Sequence, residues 1–414
     1  MEKTTQSENY TQSLKESFKT KLPPDFTFTM PTQKIEQWKY TSLAKFLPET
    51  LDLNESETKL KTEFIKKLGI PSLVFINGKL DEENSTYKDS KDLSIEIKEN
   101  NDFSESKHLS DYQELQKLNA IAAQKTISIT LKNSCADLAL QLFKSHESSA
   151  AWNFPRFEIK LERSQELKVF EINESTSTGE SETLTTLSHF NIHQSENSSL
   201  AWEVLKADSN NSNSIVSRNF TLLRNARLNL AQAFLSSKLS RNDIVVSFEG
   251  ENATANLKGF YLTKEAQHHD SCIVMNHNTS QTYSSVEYKG ILSGASRAVF
   301  NSLVHIKQDA QQVDSNQLNK NILLSKKAHV DTRPQLLVYA DDVKAAHGAT
   351  VGKIDPEELF YLESRGISED IAKKMLLNGY FEEMMDVLHT DIWHEMKHQF
   401  ITTALLGLEE ETND

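Results

Sequence analysis

The sequence predicts a mainly β protein, a solenoid core held between an N-terminal and a C-terminal helical region. Three observations carry that prediction. From about Thr126 the chain breaks into short alternating runs, among them TISITLK, FEIKLER, LKVFEIN, DIVVSFEG, CIVMNHN and QLLVYA, each closed by Asn, Ser, Asp or Gly. Such runs read as strands. Strands alone suit a sandwich or a barrel as well, but Ser, Thr and Asn recur beside the apolar positions, as they do where coils stack and turn residues form ladders. That recurrence favours the solenoid. Finally, helical spacing and helix punctuation occur at both ends of the chain and are sparse between.

Taken in order, residues 10–22 and 56–68 carry helical spacing, the latter through Leu60, Phe64 and Leu68. PSLVFINGKL reads as a hairpin turning at Asn77-Gly78. From Asp81 to Asp111 the chain is dense in Glu, Asn, Ser, Lys and Asp, which predicts a mobile surface segment or linker. Within the strand region, RNARLNLAQAFLSSKLS places Leu228, Ala231, Phe234, Leu235 and Leu239 on one helical side and predicts an interrupting helix. After Gly352 the punctuation is clear. Asp355, Pro356 and Glu358 start a helix that Arg365-Gly366 ends. Ser368, Glu369 and Asp370 start a second, which Asn378-Gly379 ends, and a third follows. The expected division is residues 1–115 as a mainly helical region with a polar linker, 116–350 as the β core and 351–414 as a helical domain.

Composition excludes several function classes. The 414 residues carry a formal net charge of −14 and show no local basic patch, so nucleic acid is not an expected partner. Two cysteines, Cys135 and Cys272, give no disulfide framework and suit a reducing cytosol, where both read as buried apolar-like residues. The N-terminal stretch has no apolar core of a signal peptide, and no run is long and apolar enough to span a bilayer. A soluble, cytoplasmic protein with no membrane partner is expected.

One motif invites a different reading. HTDIWHEMKHQF contains H-E-x-x-H at His394, Glu395 and His398, the spacing with which many metallopeptidases hold zinc and place a general base. The apolar stripe Met385, Leu388, Ile392 and Met396 runs along another side of that helix, and His394 lies roughly 200° round from Ile392 at about 100° per residue. The histidines therefore sit on a solvated face, with only a short acidic tail beyond them to supply a third ligand. A zinc-dependent hydrolase is the rival reading, and it is discriminated by stoichiometric zinc that His394→Ala abolishes.

Residues 330–367, VDTRPQLLVYADDVKAAHGATVGKIDPEELFYLESRGI, resemble the SufB/SufD family of iron–sulfur cluster assembly proteins. The match carries D-T-x-P, A-D-D-V-K, H-G-A-T-V-G and L-F-Y-L-x-S-R-G-I. It extends back through YKGILSGASRAVF and, more weakly, to QWKYTSL near residue 40. Both of these segments look more like the D subunit than the B subunit.

The resemblance implies a right-handed parallel β-helix between helical regions and a scaffold with no turnover of its own. It also implies pairing with a SufB-like subunit and docking of a SufC-like ABC-type ATPase through the C-terminal helices. A cluster would assemble transiently at the interface between the two homologous subunits, none being held stably by this chain alone. Pairing of the chain with itself in isolation, and flavin binding, stay open. His347 falls on the family's interface histidine and is the candidate cluster or iron ligand. Many D subunits carry a cysteine two residues earlier, where this chain has Ala345, so a thiolate near His347 has to come from elsewhere. Asp341 and Asp342 could bind iron, but a turn at a strand end explains them as well. Phe360, Tyr361, Leu362, Met375 and Tyr380 are the candidate ATPase contacts.

Overall fold

The computed structural model describes residues 2–17, 27–47, 68–99, 113–123, 125–145, 152–176 and 183–385. The strands are β1 (Ser72–Ile76), β2 (Lys79–Leu80), β3 (Leu93–Glu99), β4 (Lys125–Leu131), β5 (Cys135–Ser145), β6 (Trp152–Asn153) and β7 (Arg156–Leu161). They continue as β8 (Glu166–Thr176), β9 (Leu184–Gln194), β10 (Ser199–Ala207), β11 (Ser212–Leu222), β12 (Arg227–Ser236), β13 (Leu239–Phe248) and β14 (Thr254–Thr263). The last are β15 (His268–His277), β16 (Tyr283–Leu292), β17 (Arg297–Ile306), β18 (Val313–Leu323), β19 (His329–Val338) and β20 (Val343–Gly352). The helices are α1 (Glu2–Ser17), α2 (Glu114–Ala122), α3 (Pro356–Ser364) and α4 (Glu369–Met385).

These strands stack into a parallel β-solenoid of two facing sheets. One sheet runs β2-β1-β5-β8-β10-β12-β14-β16-β18-β20, and the other runs from β3 and β4 through β7, β9, β11, β13, β15 and β17 to β19. Among the described residues only the β1–β2 hairpin and the β3–β4 pair are antiparallel. Coil length varies: Asn213 pairs with Leu239, Thr254 with Tyr283 and Tyr283 with Asp314. Because successive coils differ by a few residues, no exact repeat is visible in the sequence.

The predicted turn ladder is present. Ser164, Asn197, Asn225, Asn252, Gln281 and Gln312 occupy one corner of successive coils, each with φ between 58° and 61°. Asn tolerates this left-handed conformation better than most residues. Neighbours in the column bond to one another: Asn225 Nδ2 donates to Asn197 Oδ1 at 2.7 Å, and Gln281 Nε2 to Gln312 Oε1 at 3.0 Å. The Asn77-Gly78 hairpin also forms, with both residues at positive φ as its two-residue turn requires.

Among the described residues, apolar side chains form three large layers and a small patch of Val74, Ile76 and Phe143 on β1 and β5. Paired residues of parallel strands present their side chains to the same face, so each column points either into the solenoid or out of it. The inner layer contains Phe190, Trp202, Leu228, Leu230, Leu257 and Phe300, all nearly inaccessible. A second layer lies between the N-terminal segments and the outer face of the second sheet, through Trp38, Leu43, Leu118, Leu187 and Ile215. The third lies between α4 and the outer face of the first sheet, through Leu377 against Phe260, Leu262 and Ile291.

Three expectations are corrected by this layering. Residues 227–239 form no helix; β12 and the start of β13 occupy them. Leu228, Leu230 and Phe234 face the interior while Ala233 and Leu235 face the layer under α4, so both faces are apolar and strand alternation disappears from the sequence. The polar segment after Asp81 is folded in part: β3 pairs antiparallel with β4, with Leu93 buried and Ile95 and Ile97 packed on the core. Finally, Asn378-Gly379 does not end the second C-terminal helix, since α4 runs on to Met385. Leu377 and Tyr380 face the solenoid, and that packing outweighs a glycine's weak local preference. Residues 18–26, most of 56–68 and the HEMKH motif lie outside the described residues.

Candidate functional site

The solenoid has an open end, and the strands that close the sequence of coils form it. β20 terminates the first sheet and β19 the second, and among the described residues no strand pairs with the far edge of either. Backbone donors and acceptors along such an edge are available to another chain. The apolar character there is unusual for a solvent-facing edge: Leu337, Val338 and Val351 are exposed, and Tyr339 is 61% exposed. The run Leu336-Leu337-Val338-Tyr339 breaks strand alternation because both its faces are apolar.

His347 lies in the middle of β20. It pairs with Gln317 of β18, which pairs in turn with Val286 of β16, so the three form one inward-facing column. The preceding residues of that column are fully buried, whereas His347 is exposed, because no described coil covers it. On the opposite face, a Cβ at Gly348 would lie 3.3 Å from Leu318 Cδ1. Ala345 stands over Ser315, itself 2.7 Å from Ser284 through their hydroxyls, and packs against the core. Asp341 and Asp342 are exposed in the turn before β20, where the Asp342 N–H donates to Gln311 Oε1 at 2.9 Å and its carbonyl accepts from the Gln312 N–H at 2.6 Å. They continue the turn column, as the turn reading expects.

Neither cysteine is placed beside His347. Cys272 is buried in β15 of the other sheet, where burial pushes its thiol up to about 12 despite the nearby Arg241 guanidinium. Cys135, expected to be buried, is exposed at the start of β5, towards the other end of the solenoid. Its position at the lip of a strand, outside the inner apolar layer, accounts for the difference. Among the described residues no group of three or more His, Cys, Asp and Glu side chains is assembled for a metal. A single imidazole on an open surface can supply one ligand of a shared site, and the donor set of a cluster would need thiolates from another chain.

Comparison with known proteins bears on what such an end is for. The family model described as "SUF system FeS cluster assembly, SufBD core domain" matches residues 143–380, more than half of the chain. The chain belongs to the SufBD family. It is 38% identical over 157 residues to the iron–sulfur cluster assembly protein SufD of Escherichia coli, covering 38% of this chain and 37% of that protein. A SufBD family protein of Synechocystis is 31% identical over 197 residues, covering 47% of this chain and 43% of the relative. One of Mycobacterium leprae is 34% identical over 159 residues, covering 36% and 41%. The matched stretches thus span less than half of these relatives' lengths.

In this SufBD-family chain the helices that follow β20 expose several of the apolar residues singled out from sequence. Asp355 caps α3 by accepting the Glu357 N–H at 2.8 Å, and Gly366, at φ 84°, closes it. Phe360 is 70% exposed, with Tyr361 and Met375 also outside, whereas Leu362 is half-buried. Tyr380 instead packs on the solenoid, its ring 5.8 Å from Lys289 Nζ. No described helix is long and apolar enough to cross a membrane.

Sequence reasoning missed the cluster that docks the QWKYT segment on the second sheet. Arg241 lies over Trp38, 3.6 Å from the ring centroid, donates to the Gln37 carbonyl at 2.9 Å and to Asp243 Oδ1 at 2.9 Å, and pairs with Asp270. Thr41 bonds His268 Nε2 at 2.9 Å and also Asp270. Glu36 pairs with Arg333 of β19, so this segment reaches the last coil. Arg241 stands among Ser240, Asn242 and Asp243, so no local pattern in the sequence signals the cluster, and its partners Gln37 and Trp38 lie some 200 residues away where spacing cannot reach them.

Proposed function

We propose that this chain is a non-catalytic scaffold subunit of the Suf iron–sulfur cluster assembly system. In this reading it pairs through β19 and β20 with a homologous SufB-like subunit and offers His347 to a site shared across that interface. The cluster built there is cargo, held transiently and completed by thiolates of the partner. The observation that carries the reading is the position of His347: inward-facing and exposed, on the last described strand of a solenoid whose two sheets both end in edges that no described strand pairs with. Unpaired edges with exposed Leu337, Val338 and Tyr339 suit a partner that extends both sheets. The helices α3 and α4, with Phe360, Tyr361 and Met375 outward, suit a groove on an ABC-type ATPase.

The test is purification of the tagged full chain from cells co-expressing a SufB-like subunit and the ATPase, followed by native mass measurement. Tyr339→Asp with Val351→Asp should abolish recovery of the homologous subunit and leave the circular dichroism spectrum unchanged. Recovery at the wild-type level would remove the proposed interface. His347→Ala should leave the complex intact and lower cluster maturation; unchanged maturation would take His347 out of the site. For the ATPase, hydrogen exchange within α3 and α4 should slow on its addition, and no added protection there would end the docking proposal.

A further inference from the structure

The inward row of β18 has one polar atom left over, and it lies beneath His347. Ser315, Gln317, Asn319 and Asn321 all face the interior from this strand and are almost wholly buried. Ser315 bonds Ser284. Asn319 Nδ2 donates to the Tyr288 carbonyl at 3.1 Å, and Asn321 Nδ2 to Asn319 Oδ1 at 2.7 Å. Gln317 reaches across to the other sheet, its Nε2 donating to the Gln335 carbonyl of β19 at 3.0 Å, and its Oε1 is buried without a partner. Buried acceptors are nearly always satisfied, because leaving one unpaired forfeits its hydration with no return.

The strand stacked on β18, β20, offers one side-chain donor for it. Inward-facing residues of β20 are Val343, Ala345, His347, Ala349 and Val351, and of their side chains only the imidazole carries an N–H. Adjacent strands lie about 4.8 Å apart, so rotation of the ring about its side-chain bonds brings a ring nitrogen within bonding distance of the carboxamide. The inner faces of β17 and β19 carry two further hydroxyls without partners, Ser302 and Thr332, so the lining around the last coil is polar.

We infer that Gln317 positions His347: its Oε1 accepts one ring N–H, sets the tautomer, and turns the other nitrogen, lone pair free, towards the open surface. A neutral imidazole has one donor and one acceptor nitrogen, and a hydrogen bond to the first commits the second to ligation. Gln317 is itself held by its bond to β19, so the ring is referenced to both sheets at once. This inference rests on the proposed role of His347 and assigns the residue that prepares it.

The experiment uses the full chain, without iron, labelled with ¹⁵N histidine, with the His347 resonances assigned by their loss in His347→Ala. Two-bond proton–nitrogen spectra above the imidazole titration range report which nitrogen carries the proton. In the wild type one tautomer should dominate. Gln317→Met and Gln317→Leu, which remove the acceptor, should each shift the ratio about fivefold, the factor supplied by one hydrogen bond of about 1 kcal/mol. Gln317→Glu, which keeps an acceptor, should restore it. A ratio that stays at the wild-type value in any folded acceptor-less variant overturns the inference. Because this readout needs neither cluster nor partner, it is separate from the maturation assay: a tautomer shift with unchanged maturation in His347→Ala would leave Gln317 as the ring's partner and remove only the ligand role.

Discussion

Gly290→Ala should destabilise the last coils by about 2–4 kcal/mol, and the reason is a pair of interlocked glycines and tyrosines. In the β14–β16 register Gly259 pairs with Tyr288 and Tyr261 with Gly290, so each ring lies over the glycine of the adjacent coil. A Cβ on Gly290 would come within 2.2 Å of Tyr261 Cε2 and 2.5 Å of Asn321 Oδ1. Neither can yield freely. Tyr261 donates to Asn321 Oδ1 and accepts from Asn319 Nδ2 at 3.2 Å, while Asn321 Nδ2 reaches the Thr350 carbonyl of β20 at 3.4 Å. Overpacking of this kind costs about 1–3 kcal/mol, and each buried bond broken adds about 1 kcal/mol or more. Against that, replacing glycine stiffens the unfolded chain and returns about 0.5–1 kcal/mol. Urea unfolding followed by circular dichroism gives the difference from the midpoint at constant slope. In a Tyr261→Ala background most of the collision is removed, so the same methyl should cost less than about 1 kcal/mol. Equal costs in the two backgrounds, or a Gly290→Ala chain as stable as the wild type, would refute the interlock.

Acid should destabilise the fold before most carboxylates titrate. Burial lowers His189 to about 3, His268 to about 4 and His277 to about 3, and holds His269 well below the ordinary range. A buried histidine kept neutral contributes stability that is complete above the unfolded value near pH 6.5 and is lost as pH falls towards the folded one. At about 1.4 kcal/mol per proton per pH unit, the four together give a slope approaching roughly 5 kcal/mol per unit around pH 5. Burial raises Asp243, which acts in the opposite sense at lower pH. A urea midpoint that is flat between about pH 7 and about pH 5 would contradict this assignment. Trp38→Ala removes a buried indole together with the face on which Arg241 stacks, a loss of about 3–5 kcal/mol for the side chain and about 2 kcal/mol for a desolvated cation–π contact. Hydrogen exchange should rise across residues 27–47 while β11 to β18 keep their protection, and unchanged exchange in that segment would show that the docking lies elsewhere. Phe360→Ala, by contrast, should shift the midpoint by less than about 0.5 kcal/mol, since the ring is mostly in solvent; a larger loss would mean that it packs within the chain.

Much of this architecture is legible along the chain because its causes are local. Short apolar alternations bounded by Asn, Ser and Gln specify strands and left-handed corners, and the caps at Asp355 and Gly366 specify α3, each through bonds to residues a few positions away. Local patterns fail where burial has two sides. β12 reads as a helix because its outer face also joins an apolar layer, the one that Leu377 of α4 helps to close, and α4 reads as two pieces because the sheet that stabilises it is distant in sequence. The candidate site divides in the same way. His347 and its strand are visible in the motif A-A-H-G-A-T, and the resemblance attaches a family to them. That the histidine points inward, stands uncovered on the last coil and lies over an unsatisfied Gln317 follows from parallel register between residues about 30 positions apart. Register is set by how coils of unequal length stack, a property of the assembled sheets, so residue type and spacing name the participants and the packing of one coil on the next determines which of them meet.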